Sequence, residues 1–169
     1  MVVVLVGRSQ LVTARLAALG VLAALAMPAA AMVGVVTRVS DGDTLWVRPD
    51  TGGRPVKLRV QGIDAPERCQ AWGLQAQQRL QALVLGREVR LVEGPRDTHG
   101  RRLARLMLGE ADIGRHLVLE GLAWSHRYRG WPGPYAAEEA LARRERRGLF
   151  ADPAAMPPRQ FRRTHGPCT

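Results

Sequence analysis

The sequence predicts an α+β protein dominated by a five-stranded Greek-key barrel with three helices. Three observations predict it: short segments of strand periodicity separated by tight polar turns, one helical stripe between the third and fourth of them, and helical patterns after the fifth. Residues 33–39 alternate loosely, and residues 44–48 follow the turn Asp41-Gly42-Asp43. The Asp50-Thr51-Gly52-Gly53 cluster reads as a hairpin loop. Residues 56–61 then alternate strictly, with Val56, Leu58 and Val60 on one face and Lys57, Arg59 and Gln61 on the other.

A helix is predicted from about residue 71 to 85, with Trp72, Ala76, Leu80 and Leu83 at helical spacing and Gly86 as its stop. Two strands follow, residues 88–92 and 103–108, joined by a polar stretch. Residues 113–122 read as a short helix that buries Ile113 and Leu117. A segment rich in aromatics, Gly and Pro spans 124–135, and a last helix spans 135–147 with Gly148 ending it. The arginine run from Arg143 to Arg147, broken by Glu145, reads as a solvated helix face. The tail after residue 150 carries four prolines and is expected to be irregular, pinned by Phe150 and Phe161. Five short strands with this helix placement fit the OB-fold, a barrel that often binds nucleic acid. No internal repeat and no second domain are evident.

The chain has 169 residues and a formal charge of +10, nearly all of its basic residues being arginine; Lys57 is the single lysine. An excess of guanidinium groups points to a polyanion, either nucleic acid or an anionic membrane surface. Residues 1–31 read as an export signal: Arg8 and Arg15 precede an uncharged apolar run, and Ala29-Ala30-Ala31 supplies small residues for cleavage before Met32. The competing reading is an uncleaved anchor, although the run is short for a span of about 20 residues. The expected mature protein is a barrel domain over 32–152 and a tail over 153–169, monomeric, periplasmic or secreted, with no stable membrane span. Export would bring Cys69 and Cys168 into an oxidising compartment, where they either bridge or stay unpaired. A bridge closing a loop of about 100 residues contributes roughly 4–5 kcal/mol in the chain-entropy model.

Two acidic turns flank the hairpin of the second and third strands. Asp43 starts the second strand, and Asp64 and Glu67 lie just past the third, around Pro66. Alone, the first turn is more often an ordinary Asp-Gly bend than a metal site, and the second reads as a Pro bend with solvated acids. Antiparallel pairing, however, brings the two ends together, and grouped carboxylate oxygens suit a hard cation such as Ca²⁺ or Mg²⁺. Arg59 lies between them on the third strand, and Arg101 follows the polar loop Asp97-Thr98-His99-Gly100. Phosphodiester hydrolysis needs such groups: positive charge at the phosphoryl oxygens and a carboxylate beside the attacking water. The four histidines show no zinc-ligand spacing with the cysteines.

Asp41-Gly42-Asp43-Thr44, Arg59 five residues before Asp64-Ala65-Pro66-Glu67, Gly100-Arg101, Gly121-Leu122-Ala123 before an aromatic, and Gly148-Leu149-Phe150-Ala151-Asp152-Pro153 followed by Arg162-Arg163 together resemble the staphylococcal nuclease family over about residues 35–150 and into the tail. The resemblance implies an OB-fold enzyme that hydrolyses DNA and RNA with Ca²⁺ and leaves 3′-phosphates. Asp43, Asp64 and the carbonyl of Ala65 would be metal ligands and Asp41 would brace them. Glu67 would stand at the attacking water, and Arg59 and Arg101 would hold the phosphate. Two pocket tyrosines of the family's best-known member are replaced by Trp124 and His126, and a phosphate-binding lysine and tyrosine by Thr98 and His99. Trp124 is then expected to stack on a base, with His126 and His99 as further substrate contacts. The basic, aromatic loop over 127–135 is either a single-strand binding surface or a connector with Trp131 packed beneath it. The alternative to an enzyme is an OB-fold module that binds nucleic acid without cutting it.

Overall fold

The computed structural model describes residues 31–97, 100–166 and 168. The export segment expected over 1–31 lies outside these residues except for Ala31, which heads the first strand.

β1 (Ala31–Val39), β2 (Thr44–Pro49) and β3 (Val56–Val60) form an antiparallel meander, in which Thr44 stands opposite Arg59. A bulge at Thr37 shifts the β1–β2 register, as Val36 faces Val47 but Arg38 faces Trp46. After β4 (Ile63–Asp64) and α1 (Gly73–Val84), β5 (Glu88–Arg96) pairs with the outer side of β1, and β6 (Arg102–Leu108) pairs with β5. β6 then meets β3 in parallel, Val60 beside Ala104, and the five long strands close into a barrel. β7 (Ala111–Asp112) extends β6, while β8 (Trp124–Ser125) pairs with β4 away from the barrel wall. Closure removes the open edge that a five-stranded sheet would otherwise present.

The inward alternation fills the barrel with Val36, Leu45, Val47, Leu58, Val60, Leu91 and Leu106, all essentially inaccessible. α1 lays Ala76, Leu80 and Val84 on this core; Leu83 is only partly buried, and Trp72 sits just before the helix with positive φ. α2 (Ile113–Leu119) buries Ile113 and Leu117 as expected, and Asp112 caps it by accepting from the Arg115 N–H at 3.2 Å. α3 (Ala136–Arg144) and a 3₁₀ turn (Gly148–Ala151) enclose a second apolar cluster of Trp124, Ala142, Leu149 and Phe150. Arg143 is no merely solvated residue: it bonds Glu139 and lies 4.3 Å over the Phe150 ring.

The tail departs from its expected irregularity, and the helices number four rather than three. α4 (Pro158–His165) begins on a proline, where the missing N–H costs nothing, and ends on Arg162, Arg163 and His165. Prolines that read as breakers are here a helix start. Its anchors are a Cys69–Cys168 disulfide, with Cα atoms 5.7 Å apart, and the Gln70 side-chain amide, which donates to the Met156 carbonyl at 2.7 Å. Among the described residues no helix is long and apolar enough to cross a membrane.

Candidate active site

The turn before β2 is built by its own side chains. Asp41 Oδ1 accepts from the Asp43 N–H at 3.0 Å, an Asx-type turn, and the Ser40 N–H donates to the Thr44 carbonyl at 2.9 Å. Gly42 is required by packing: a Cβ there would come within 2.7 Å of the Ala65 Cβ and 2.8 Å of the Ala76 Cβ. The turn is thereby pressed against both the end of β4 and helix α1. The chain leaves β3 through a turn at Gln61-Gly62, so Asp64 sits on the separate strand β4, opposite Trp124 on β8, rather than just beyond β3. This second pairing fixes where Asp64 faces.

Arg59 joins the two acidic turns. One of its nitrogens, Nη2, donates to Asp43 Oδ2 at 2.7 Å and to Asp64 Oδ1 at 2.6 Å, with the Ile63 carbonyl 3.4 Å away. Its side chain is only 12 % exposed, so it is not the solvent-facing strand arginine that alternation alone suggests. Burial opposes its charge, but Asp43 and Asp64 more than offset this and hold it firmly protonated. Burial likewise raises Asp64 above the usual carboxylate range, with Arg59 pulling against it and Asp43 adding to it. Asp41 is pushed up to about 6, first by burial and then by the neighbouring Asp43 charge.

These residues line a cleft of about 470 Å³ together with Ala65, Pro66, Glu67, Arg101 and Arg162. Arg101 is oriented by Asp97, which accepts from its Nε at 2.6 Å and from its backbone N–H at 2.9 Å. Glu67 is paired with Arg162, an arginine from α4. The cleft therefore gathers Asp41, Asp43, Arg59, Asp64, Ala65, Glu67 and Arg101 from the sequence reading. It adds Arg162, which sequence reasoning placed only in a tail pattern.

The outer contacts differ from expectation. Trp124 is 3 % exposed and packs edge-on against Phe150, 6.0 Å between ring centroids, so no base can stack on it. Its β8 position turns the indole into the second apolar cluster rather than toward the cleft. His126 is exposed and lines a neighbouring cavity, also about 470 Å³, which shares Arg59 and includes Asp97, Arg105, Trp131 and Tyr135. Trp131 is 54 % exposed on that rim, not packed beneath the loop. Thr98 and His99 lie outside the described residues.

The donor set can be tested against a cation. No group of three or more His, Cys, Asp or Glu side chains with metal-holding geometry occurs among the described residues. Two carboxylates from separate turns do converge, however, on one cationic nitrogen at 2.6–2.7 Å, with a backbone carbonyl close by. The guanidinium nitrogen stands in for positive charge at that point. The three acceptors that meet this nitrogen are all oxygen, which fits a hard divalent ion completing its shell with carbonyl, water or phosphate oxygen. The Ala65 N–H, 3.3 Å from Asp43 Oδ2, braces the same carboxylate.

The fold is a small OB-fold barrel whose cleft gathers carboxylates and arginines. The family model for staphylococcal nuclease homologues matches residues 57–152. The chain is 36 % identical to a protein named micrococcal nuclease from Shigella flexneri, over 92 % of this chain and 95 % of that one. It is 34 % identical to an uncharacterized endonuclease from Haemophilus influenzae, over 76 % and 71 % of the two chains. The chain belongs to the staphylococcal nuclease family.

Proposed function

We propose that the protein is an exported Ca²⁺-dependent nuclease that hydrolyses phosphodiester bonds of DNA and RNA with little sequence preference and leaves 3′-phosphate ends. The observation that carries this reading is the cleft itself, where Glu67, Arg59 and Arg101 face one space beside Asp43 and Asp64. Nuclease relatives over most of the chain support it, and so does the basic charge.

Asp43, Asp64 and the Ala65 carbonyl would hold Ca²⁺, which supplies positive charge to a phosphoryl oxygen. Arg59 stands where it can hand its carboxylates over to the cation and turn its donors to the phosphate. A guanidinium matches two phosphate oxygens with two parallel N–H groups. Arg101, aimed by Asp97, is placed to meet charge that builds on the phosphoryl or leaving oxygen. Glu67 accepts a hydrogen bond from the attacking water and orients it. Asp41 holds the turn that presents Asp43.

Plasmid DNA, single-stranded DNA and RNA incubated with Ca²⁺ or with EGTA test the reading, with end-group analysis of the products. Cleavage of all three in Ca²⁺ only, with 3′-phosphate ends, is expected. Binding without cleavage in Ca²⁺ supports the non-catalytic module instead.

A further inference from the structure

The cleft holds a third arginine that the proposed chemistry does not use. Arg162 lies 95 residues along the chain from Glu67 and pairs with it through Nη1. It lines the same cleft as Arg59 and Arg101. Those two arginines are held by carboxylates other than Glu67: Arg59 by Asp43 and Asp64, Arg101 by Asp97. Arg162 meets the carboxylate nearest the expected water, and its side chain remains 44 % exposed. A guanidinium has five N–H donors, and the contact with Glu67 engages Nη1.

The way Arg162 arrives is as informative as where it sits. The loop that carries Glu67 also carries both anchors of the tail. Cys69, two residues on, is bridged to Cys168, and Gln70 donates to the Met156 carbonyl while its side-chain oxygen accepts from the Glu67 N–H at 3.2 Å. α4 is thus tied before its first residue and after its last, to one short loop. Phe161, the residue before Arg162, lines a small cavity together with Trp72, Trp124 and Met156. A tail that served only to cover apolar surface would need no arginine at that position.

Resting on the nuclease reading above, we propose that Arg162 is a third substrate-phosphate ligand, delivered to the cleft by the C-terminal segment and kept there by the Cys69–Cys168 bridge. An incoming phosphodiester competes with Glu67 for the guanidinium. Substrate arrival thereby both fastens a phosphate and frees the Glu67 carboxylate to face water. The protein then depends on its disulfide for substrate affinity, and an exported chain gains full affinity only after oxidation.

The test compares wild type, R162A, R162K, C168S and the R162A/C168S double variant, each checked for cooperative unfolding. Steady-state cleavage of a single-stranded oligonucleotide is measured in Ca²⁺, and its binding is measured in EGTA across a salt series. R162A is expected to raise KM about tenfold, the loss of one charge-assisted phosphate contact, with R162K recovering part of it. The slope of log affinity against log salt should become shallower by about one. C168S should shift KM in the same direction and add nothing further to R162A. Unchanged KM and slope in R162A overturn the phosphate role, and full multiplication of the two effects overturns the role of the bridge. Absence of Ca²⁺-dependent cleavage by wild type defeats the nuclease reading instead, and the salt slope in EGTA then still decides the Arg162 contact.

Discussion

Glu139 with Arg127 and Arg143, and Arg59 with Asp43 and Asp64, are two carboxylate–arginine clusters of nearly the same chemistry. Glu139 on α3 is 2 % exposed and is saturated with donors: the Ser125 N–H at 2.9 Å, Arg127 at 2.5 Å and Arg143 at 2.8 Å. It ties β8 to α3, and its two arginines reach it from solvent. The Asp43–Arg59–Asp64 cluster has the opposite arrangement: one buried arginine is shared by two acids at the wall of an open cleft. Burial leaves Asp64 and Asp41 harder to ionise than ordinary acids. A carboxylate whose lone pairs are filled by the protein is a strut. One held at the wall of an open cleft, where burial and a like charge oppose its ionisation, keeps lone pairs that the protein does not fill, and the proposed Ca²⁺ would relieve that opposition.

Exchange of roles would break this contrast most directly. E67Q or R101A should lower kcat by about 10²–10³, the scale for losing one group that acts on the transition state, while the unfolding midpoint stays put. E139A should do the reverse. It leaves the buried Ser125 N–H without its acceptor and should cost about 1–3 kcal/mol in urea unfolding, with kcat unchanged. A stability loss in R101A matching that of E139A, or a kcat loss in E139A matching that of R101A, removes the distinction.

A pH series in EGTA sharpens the same contrast from the cleft side. Asp41 is raised in the folded state from 3.8 to about 6. The folded protein therefore binds a proton more tightly than the unfolded chain. Its contribution to stability is fully present below pH 4 and is lost as pH rises through about 6, on the order of 3 kcal/mol in all. D41N should flatten this part of the stability profile, measured by urea unfolding between pH 4 and 7.5. Ca²⁺, by favouring the ionised acids, should restore stability at the upper end in wild type. A wild-type profile in EGTA that does not fall between pH 4 and 7 contradicts the strain assigned to the cleft.

The barrel was largely readable from local pattern, because strict alternation in 56–61 and the turn at Asp41-Gly42-Asp43 are properties of neighbours along the chain. The acid and arginine set was readable as spacing and order. What spacing could not carry was direction. Trp124 occupies a two-residue strand whose pairing with β4 turns its indole inward, a long-range outcome with no local mark. Arg59 looked exposed by its period, yet two acids from separate turns close over it. Arg162 was hidden because prolines made the tail read as irregular. The signals available were its place in the tail pattern and Cys168, which a bridge to Cys69 brings beside the Glu67 loop.

The smallest expected effect concerns a third ion pair, which lies between the two extremes. Arg79 on α1 grips Glu120 at the end of α2 with two parallel bonds, Nε to Oε2 at 2.8 Å and Nη2 to Oε1 at 2.6 Å. The Arg79 bonds, aided by His116, hold Glu120 below the usual carboxylate range. Its contribution is then present above the unfolded value and lost as pH falls through the folded one. Both partners are partly exposed, so solvent screening keeps the pair near 0.5 kcal/mol by the usual scale of surface pairs (~0–1 kcal/mol). E120Q should lower stability by about that amount at pH 7, by progressively less as pH falls below the usual carboxylate range, and by less in 1 M salt, with kcat untouched. If E120Q instead costs as much as E139A, then bidentate geometry outweighs burial in this protein. The division between struts and reactive acids would then have to be drawn by hydrogen-bond count rather than by exposure.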